Sequence, residues 1–510
     1  MNSNHRTKWI GVTGTTLMVI ALLVVAPRSA SAQSQEGQKE TPNLQELKEK
    51  LLQLEQTIQE LKGQINAAEQ SQKTSGALIN LTPITVGSEN SKNRSQKTSG
   101  RPIEEVNPVL VSSKSTDSSI ERIPEESTPK PPQTTNLERS MEIYGFVMLD
   151  MGYDFKTNNP DWFDVVRPTM LPSFNGDFAP NGKLFSGVRP TRFGTKAAIP
   201  TGFGELKTLF EWELFGTGPD AGQTTFRLRH AYGELGQVGA GQYWSPFMDI
   251  DIFPNIIEYW GPNGMVINRN VQVRWMPIKG DSRVTIALER PGASADQGVY
   301  SDRIELVGVN TQFQWPDLTW EARLGRQWGY VELAGIFKQI KWVDTSLDEF
   351  DLSGSAFGWG LNFSSKVKFG KKSVGKFQVA YGEGIENYMN DAPVDIGIQN
   401  NFQNPISPIK GVALPVLGIV AFLDHDWNDR LSTAIGYSML DIQNSDGQSP
   451  SAFHQGSYAI TNLLWTPVEN FMMGGEFQFG RRLNFSDGFN VNDYRIQFSF
   501  KYNFSRIFKF

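Results

Sequence analysis

Four stretches of the chain set basic residues at alternate positions among bulky apolar ones. Arg192 and Lys196 share the parity opposite to Phe193 and Ile199, and Arg227 and Arg229 alternate with Phe226, Leu228 and Tyr232. Gln272 and Arg274 alternate with Val271, Val273 and Trp275, and Arg323 lies among Trp320, Ala322 and Leu324. Successive side chains of a strand point to opposite faces, so each stretch reads as one apolar face and one basic face. Six cations gathered on the inner face of a closed sheet would favour anions in a pore. The bland alternative is a structural ladder of compensating charge, because Glu211, Glu213, Glu289 and Glu321 fall on the same inward parity. Parity leaves both readings open.

Other chemistry is sparse. The segment Ser245 to Met265 breaks the alternation and carries Asp249, Asp251, Glu258, Tyr259 and Trp260 among three prolines. It reads as a constriction loop folded into a lumen or as an ordinary surface loop, and length alone does not separate the two. The four histidines, His5, His230, His425 and His454, show no metal-ligand spacing, and there is no cysteine. Gly216-Thr217-Gly218-Pro219 opens no helix, so it reads as a turn and not a phosphate cradle. No catalytic residue, metal or cofactor is expected. A hydrolase using a serine with His230 or His425 is the remaining catalytic alternative, and no G-x-S-x-G element supports it. A net charge of -6 over 510 residues gives no sign of a nucleic-acid partner.

The elements that must position these residues are strands. From Met141 to the end the hydrophobic period is two, as in Phe357-Gly358-Trp359-Gly360-Leu361-Asn362-Phe363. In the terminal stretch Tyr494, Ile496, Phe498, Phe500, Tyr502 and Phe504 share one face, while Arg495, Gln497, Ser499, Lys501 and Asn503 share the other. A strand between lipid and a wet lumen needs that division. Aromatics make up 12% of the chain and hydrophobic residues only 39%, which suits a barrel whose strands are half polar better than a bundle of apolar helices. Turn signals such as Pro262-Asn263-Gly264, Asp446-Gly447 and Asp487-Gly488 punctuate the runs. The expectation is an all-β transmembrane barrel of about sixteen antiparallel strands over residues 139–510, embedded in outer-membrane lipid. Ala356, Gly358 and Gly360 leave room on the inner face, which favours a water-filled channel.

Three segments precede the barrel. Residues 1–32 read as a signal peptide, with Arg6 and Lys8, the apolar run Leu17 to Ala26 and the cleavage site Ala30-Ser31-Ala32. Residues 33–70 hold a heptad repeat, Leu44, Leu47, Leu51, Leu54, Ile58, Leu61, Ile65 and Ala68, which predicts an α-helical coiled coil compatible with a trimer. Residues 71–138 are Ser-, Thr- and Pro-rich, contain S-Q-K-T-S-G twice, and read as a disordered linker.

Several runs carry a family resemblance: Phe226-Arg227-Leu228-Arg229-His230-Ala231-Tyr232-Gly233-Glu234, Gly241-Gln242-Tyr243-Trp244-Ser245-Pro246-Phe247-Met248-Asp249, Tyr259-Trp260-Gly261-Pro262-Asn263-Gly264-Met265 and Trp328-Gly329-Tyr330-Val331-Glu332-Leu333-Ala334-Gly335. Together with the plan of signal, coil, linker and barrel, the chain resembles the DcaP-like trimeric porins. The resemblance implies a sixteen-stranded homotrimeric porin of the Gram-negative outer membrane with a periplasmic coiled coil. It also implies passage of small anionic solutes, notably dicarboxylates. The alternative is an envelope protein whose coil and linker tether the membrane or bind a periplasmic partner.

Overall fold

The computed structural model describes residues 138–510. The expected signal peptide, coiled coil and residues 71–137 of the linker lie outside the described residues. Alternation of apolar and polar side chains builds a closed antiparallel wall of sixteen staves, two of them broken in two. In chain order the strands are β1 (Ser140–Asp154), β2 (Lys183–Gly187), β3 (Arg192–Thr201), β4 (Gly204–Phe215), β5 (Thr224–Leu235), β6 (Val238–Trp244), β7 (Arg269–Ile278) and β8 (Arg283–Glu289). They continue as β9 (Val309–Thr311), β10 (Asp317–Arg326), β11 (Gly329–Asp344), β12 (Gly354–Phe369), β13 (Ser373–Glu383), β14 (Ile396–Asn400) and β15 (Ile409–Ala413). The last five are β16 (Pro415–Asn428), β17 (Leu431–Ile442), β18 (Phe453–Val468), β19 (Phe471–Asn484) and β20 (Asn490–Lys509). The hairpin β14–β15 stands apart from the wall. β2 and β3 pair with successive halves of β1 and form one stave, and β9 and β10 do the same along β11.

The barrel closes where β20 pairs with β1 from Ser140↔Lys509 to Asp154↔Arg495. Closure removes the sheet edges that hydrocarbon would leave unsatisfied. Turns of two to four residues join strands at the end that holds both termini of the wall, and the long connections gather at the other. In outer-membrane barrels the short turns face the periplasm.

Burial is the reverse of a water-soluble sheet. Val273, Phe498 and Tyr502 are more than half exposed, whereas Gln378, Gln478, Arg495, Gln497 and Ser499 are buried. The external solvent of this wall is therefore hydrocarbon, and the polar groups find partners inside. Among the described residues no helix is long and apolar enough to cross a membrane.

One parity expectation fails for a local reason. Tyr232, read as lipid-facing with Phe226 and Leu228, is buried inside. The β4–β5 register passes from Glu211↔His230 to Trp212↔Leu228, leaving Arg229 as the extra residue of a bulge. A bulge reverses the parity of everything beyond it. Tyr232 accordingly stacks on Tyr243, with ring centroids 4.6 Å apart, and lies beneath the Arg274 guanidinium at 5.6 Å.

Candidate channel lumen and its constriction

The chain leaves the wall at Trp244, turns inward and rejoins it at Arg269. Residues 245–268 therefore form the loop whose direction the sequence left open, and they cross the barrel interior. The contacts explain why. Asp249 is fully buried, accepts from Arg323 Nη2 at 2.5 Å and Tyr330 Oη at 2.7 Å, and accepts from Ser364 Oγ at 2.6 Å. Arg323 also binds Asp251 and Glu332, each at 2.5 Å. Further along, Asn462 Nδ2 donates to Asn255 O at 2.8 Å and Gln497 Nε2 donates to Ile257 O at 3.3 Å. Ser438 Oγ accepts from Gly264 N, and Gln378 bonds both Gly264 O and Val266 N. Residues from β10 to β20 thus bind the loop along its length, and each comes from the inward face.

Glu258 ties the loop to another segment. Its carboxylate accepts from the backbone N–H groups of Val166, Trp260 and Gly261, and from Tyr458 Oη. Burial pushes this carboxyl up to about 8 against the pull of those N–H donors, with the Glu476 carboxylate adding to the rise. Arg167 reinforces the junction, with its guanidinium 4.1 and 4.2 Å from the ring centroids of Trp162 and Trp260 and its Nε 2.8 Å from Asp391.

The room expected at Gly358 and Gly360 is filled. A Cβ on Gly360 would meet Ile385 Cδ1 at 2.7 Å and Phe247 Cζ at 3.1 Å, and one on Gly358 would meet Lys338 Cγ at 2.5 Å. Phe247, Val266, Ile385, Tyr388 and Met389 form an apolar core with Ala334, Ile336 and Ala380 of the wall. These glycines admit loops packed against the wall and do not widen the water path.

Two cavities border the inward loop, of about 530 and 460 Å³. The larger opens among the periplasmic turns beside Lys279, Arg326 and Lys368, and the smaller lies against β3, β5 and β20 beside Arg192, Arg227 and Lys501. Trp244 and Ile250 line both.

The six sequence-predicted cations all point inward, in two groups. Arg192, Arg227 and Arg229 converge on Glu211 and Glu213: Arg229 binds both at 2.6 Å, Arg192 lies 3.7 and 3.5 Å from them, and Arg227 binds Glu213. Lys196 is 3.7 Å from Glu142, toward the periplasmic end of the same stave. Arg274 and Arg323 line the larger cavity. Arg274 donates to Gln272 Oε1 and Trp244 O, and has no carboxylate partner among the described residues. Of the predicted loop acids, Asp249 and Glu258 are buried anchors, Asp251 borders the larger cavity and Glu258 the smaller.

Arg269 and Lys501 also line the smaller cavity and were not singled out. Parity with Val271 would turn Arg269 toward lipid, but it stands where the loop rejoins the wall, and its Nη2 lies 3.8 Å from Glu213. Lys501 was legible as part of the polar face of β20. Among the described residues no group of acids and histidines could hold a metal. His425 Nδ1 lies 2.8 Å from Ser373 Oγ, but no acid orients the ring among the described residues.

A family model for DcaP outer membrane protein matches residues 119–504. The chain belongs to that family. It is an outer-membrane channel of the Gram-negative envelope, not an enzyme. The outer membrane channel DcaP of Acinetobacter baumannii is 20% identical with a TM-score of 0.59, over 72% of this chain and 99% of that one. An anion-selective porin from Comamonas acidovorans is 10% identical with a TM-score of 0.45, over 72% and 100%. The trimer form of OmpT from Vibrio cholerae is 12% identical with a TM-score of 0.41, over 72% and 99%. No curated protein matches the chain.

Proposed function

We propose that this DcaP-family channel conducts small solutes passively, prefers anions, dicarboxylates among them, and works as a homotrimer with its N-terminal coiled coil in the periplasm. The charge of the cavity walls carries the anion preference. Eight Lys and Arg against four Asp and Glu line the larger cavity, and five against one line the smaller. In a narrow, low-dielectric lumen that surplus lowers the barrier to anions and raises it for cations. Dicarboxylates, the trimer and the periplasmic coil rest on the family resemblance and on the heptads.

Arg192, Lys196, Arg227, Arg229, Arg274 and Arg323 would supply much of this field, while Asp249, Asp251 and Glu258 hold the constriction in place. Planar-bilayer recording under a KCl gradient tests the reading. An anion-directed reversal potential is expected, with insertions in three-step units. Joint replacement Arg192→Gln, Arg227→Gln and Arg274→Gln should move the reversal potential toward cations. An unchanged potential would sink the proposal.

A further inference from the structure

The smaller cavity carries a charge imbalance beside an apolar wall. Four guanidiniums, Arg192, Arg227, Arg229 and Arg269, share two carboxylates, Glu211 and Glu213. Arg192 Nε and Arg269 Nη1 have no hydrogen-bond acceptor among the described residues. Lys501 adds a fifth cation. It stands between Met148 of β1 and Met472 of β19 in the strand register, and its Nζ lies 4.2 Å from the centroid of Phe146. Among the described residues Lys501 has no hydrogen-bond or ion-pair partner. Asp150, two pairs further along β1 and on the same face, is occupied by Ser499 Oγ at 2.5 Å. Glu258, the acid lining this cavity among the described residues, is turned onto backbone N–H groups, and burial raises its pKa.

A cation without an acceptor in an apolar setting lowers its energy by binding an anion. Chloride would meet that charge, but it would leave the apolar side chains lining the cavity, Phe253, Ile256, Ile257, Ile267 and Met389, facing water. An anion with an apolar body satisfies both.

We propose that Lys501, with Arg192 and Arg269, forms a subsite for organic anions that carry an apolar body, such as aryl carboxylates and sulfonates, and that Lys501 determines this specificity. The inference rests on the anion-channel reading and deepens it. The head group sits among the cations, and the body lies along the Ile256–Met389 side. Binding there retards passage relative to compact anions of the same charge, because exit requires leaving the apolar wall.

Planar-bilayer recording of the full chain in KCl, with sodium benzoate or sodium acetate added, tests it. Benzoate should halve the chloride current at a concentration about tenfold below that of acetate, equivalent to about 1.4 kcal/mol. Lys501→Met should raise the half-blocking benzoate concentration about tenfold, and Lys501→Arg should restore it to within about threefold, since the charge returns. Equal potency of benzoate and acetate in an anion-selective wild type overturns the subsite and leaves the channel reading standing. So does unchanged benzoate block in Lys501→Met. A wild type that conducts nothing, or prefers cations, overturns the channel reading itself. The wild-type benzoate-to-acetate ratio decides the matter even if the Met variant does not fold.

Discussion

The inward loop is held by two walls of opposite character. On the β10–β12 side its anchors are ionic: Arg323 clamps Asp249 and Asp251, and Tyr330 and Ser364 complete the Asp249 site. On the β16–β20 side, Glu476 and Asp424 aside, they are neutral amides and hydroxyls bonded to loop backbone, from Asn462, Gln497 and Ser438. The difference follows from what each wall meets. Side-chain carboxylates buried at Asp249 need a cation, whereas backbone carbonyls and N–H groups are satisfied by an amide. It also has a functional reading. Because that wall fixes the loop largely with neutral groups, its cation at the smaller cavity is Lys501, and a permeating ion otherwise senses the guanidiniums of β3, β5, β7 and β10.

The ionic anchor should be the harder one to lose. Arg323→Ala leaves Asp249 buried without its cation and strips Glu332 of one of its two guanidiniums, at a cost of about 3 to 5 kcal/mol. Thermal unfolding in detergent should show that loss, and single-channel conductance should rise and become noisy as the loop detaches. A variant with wild-type stability and quiet conductance would show that the neutral wall alone suffices.

The third attachment, at Glu258, should depend on pH. Its folded value of about 8 lies above the ordinary 4.5, so the folded state holds a proton that the unfolded chain gives up. The contribution is full below about pH 4.5 and is lost as pH rises through 8, at up to about 1.4 kcal/mol per unit. Melting temperature should fall across that window, and Glu258→Gln should flatten the fall. Parallel pH profiles for the two proteins would place the titration elsewhere.

The amide anchors should matter least individually. Asn462→Leu and Gln497→Leu each leave one loop carbonyl without its donor, at about 1 to 3 kcal/mol. Their effects should fall short of additivity, because Glu476 and Gln478 link Asn462 to Gln497 in one chain of hydrogen bonds. Full additivity would mean that the neutral anchors act separately, unlike the ionic wall.

Much of this was legible in the sequence, because a lipid-facing strand must alternate. Tyr494 to Phe504, Val271 to Trp275 and Trp320 to Leu324 gave the wall and the faces of Arg274 and Arg323 directly. Tyr232 misled because a one-residue bulge at Arg229 leaves no mark in the pattern. Gly358 and Gly360 misled because a small residue opens space without saying what enters it, and here Phe247 and Ile385 enter. The inward course of residues 245–268 was invisible for a related reason. Its anchors lie as far as 240 positions away, as in the Gln497–Ile257 bond, and no local period records a contact of that range.

The smallest expected effect concerns the segment before the wall. Among the described residues, the contacts that fix the constriction come from within the barrel segment, and closure of the barrel needs only β1 and β20. Deleting residues 42–138 should therefore leave the conductance of each open step and its reversal potential unchanged, while the heptads predict weaker association of the subunits. A lower step conductance would mean that the deleted segment reaches the permeation path. Intact conductance accompanied by loss of an envelope phenotype would instead divide the protein's work, with permeation in the barrel and attachment in the coil.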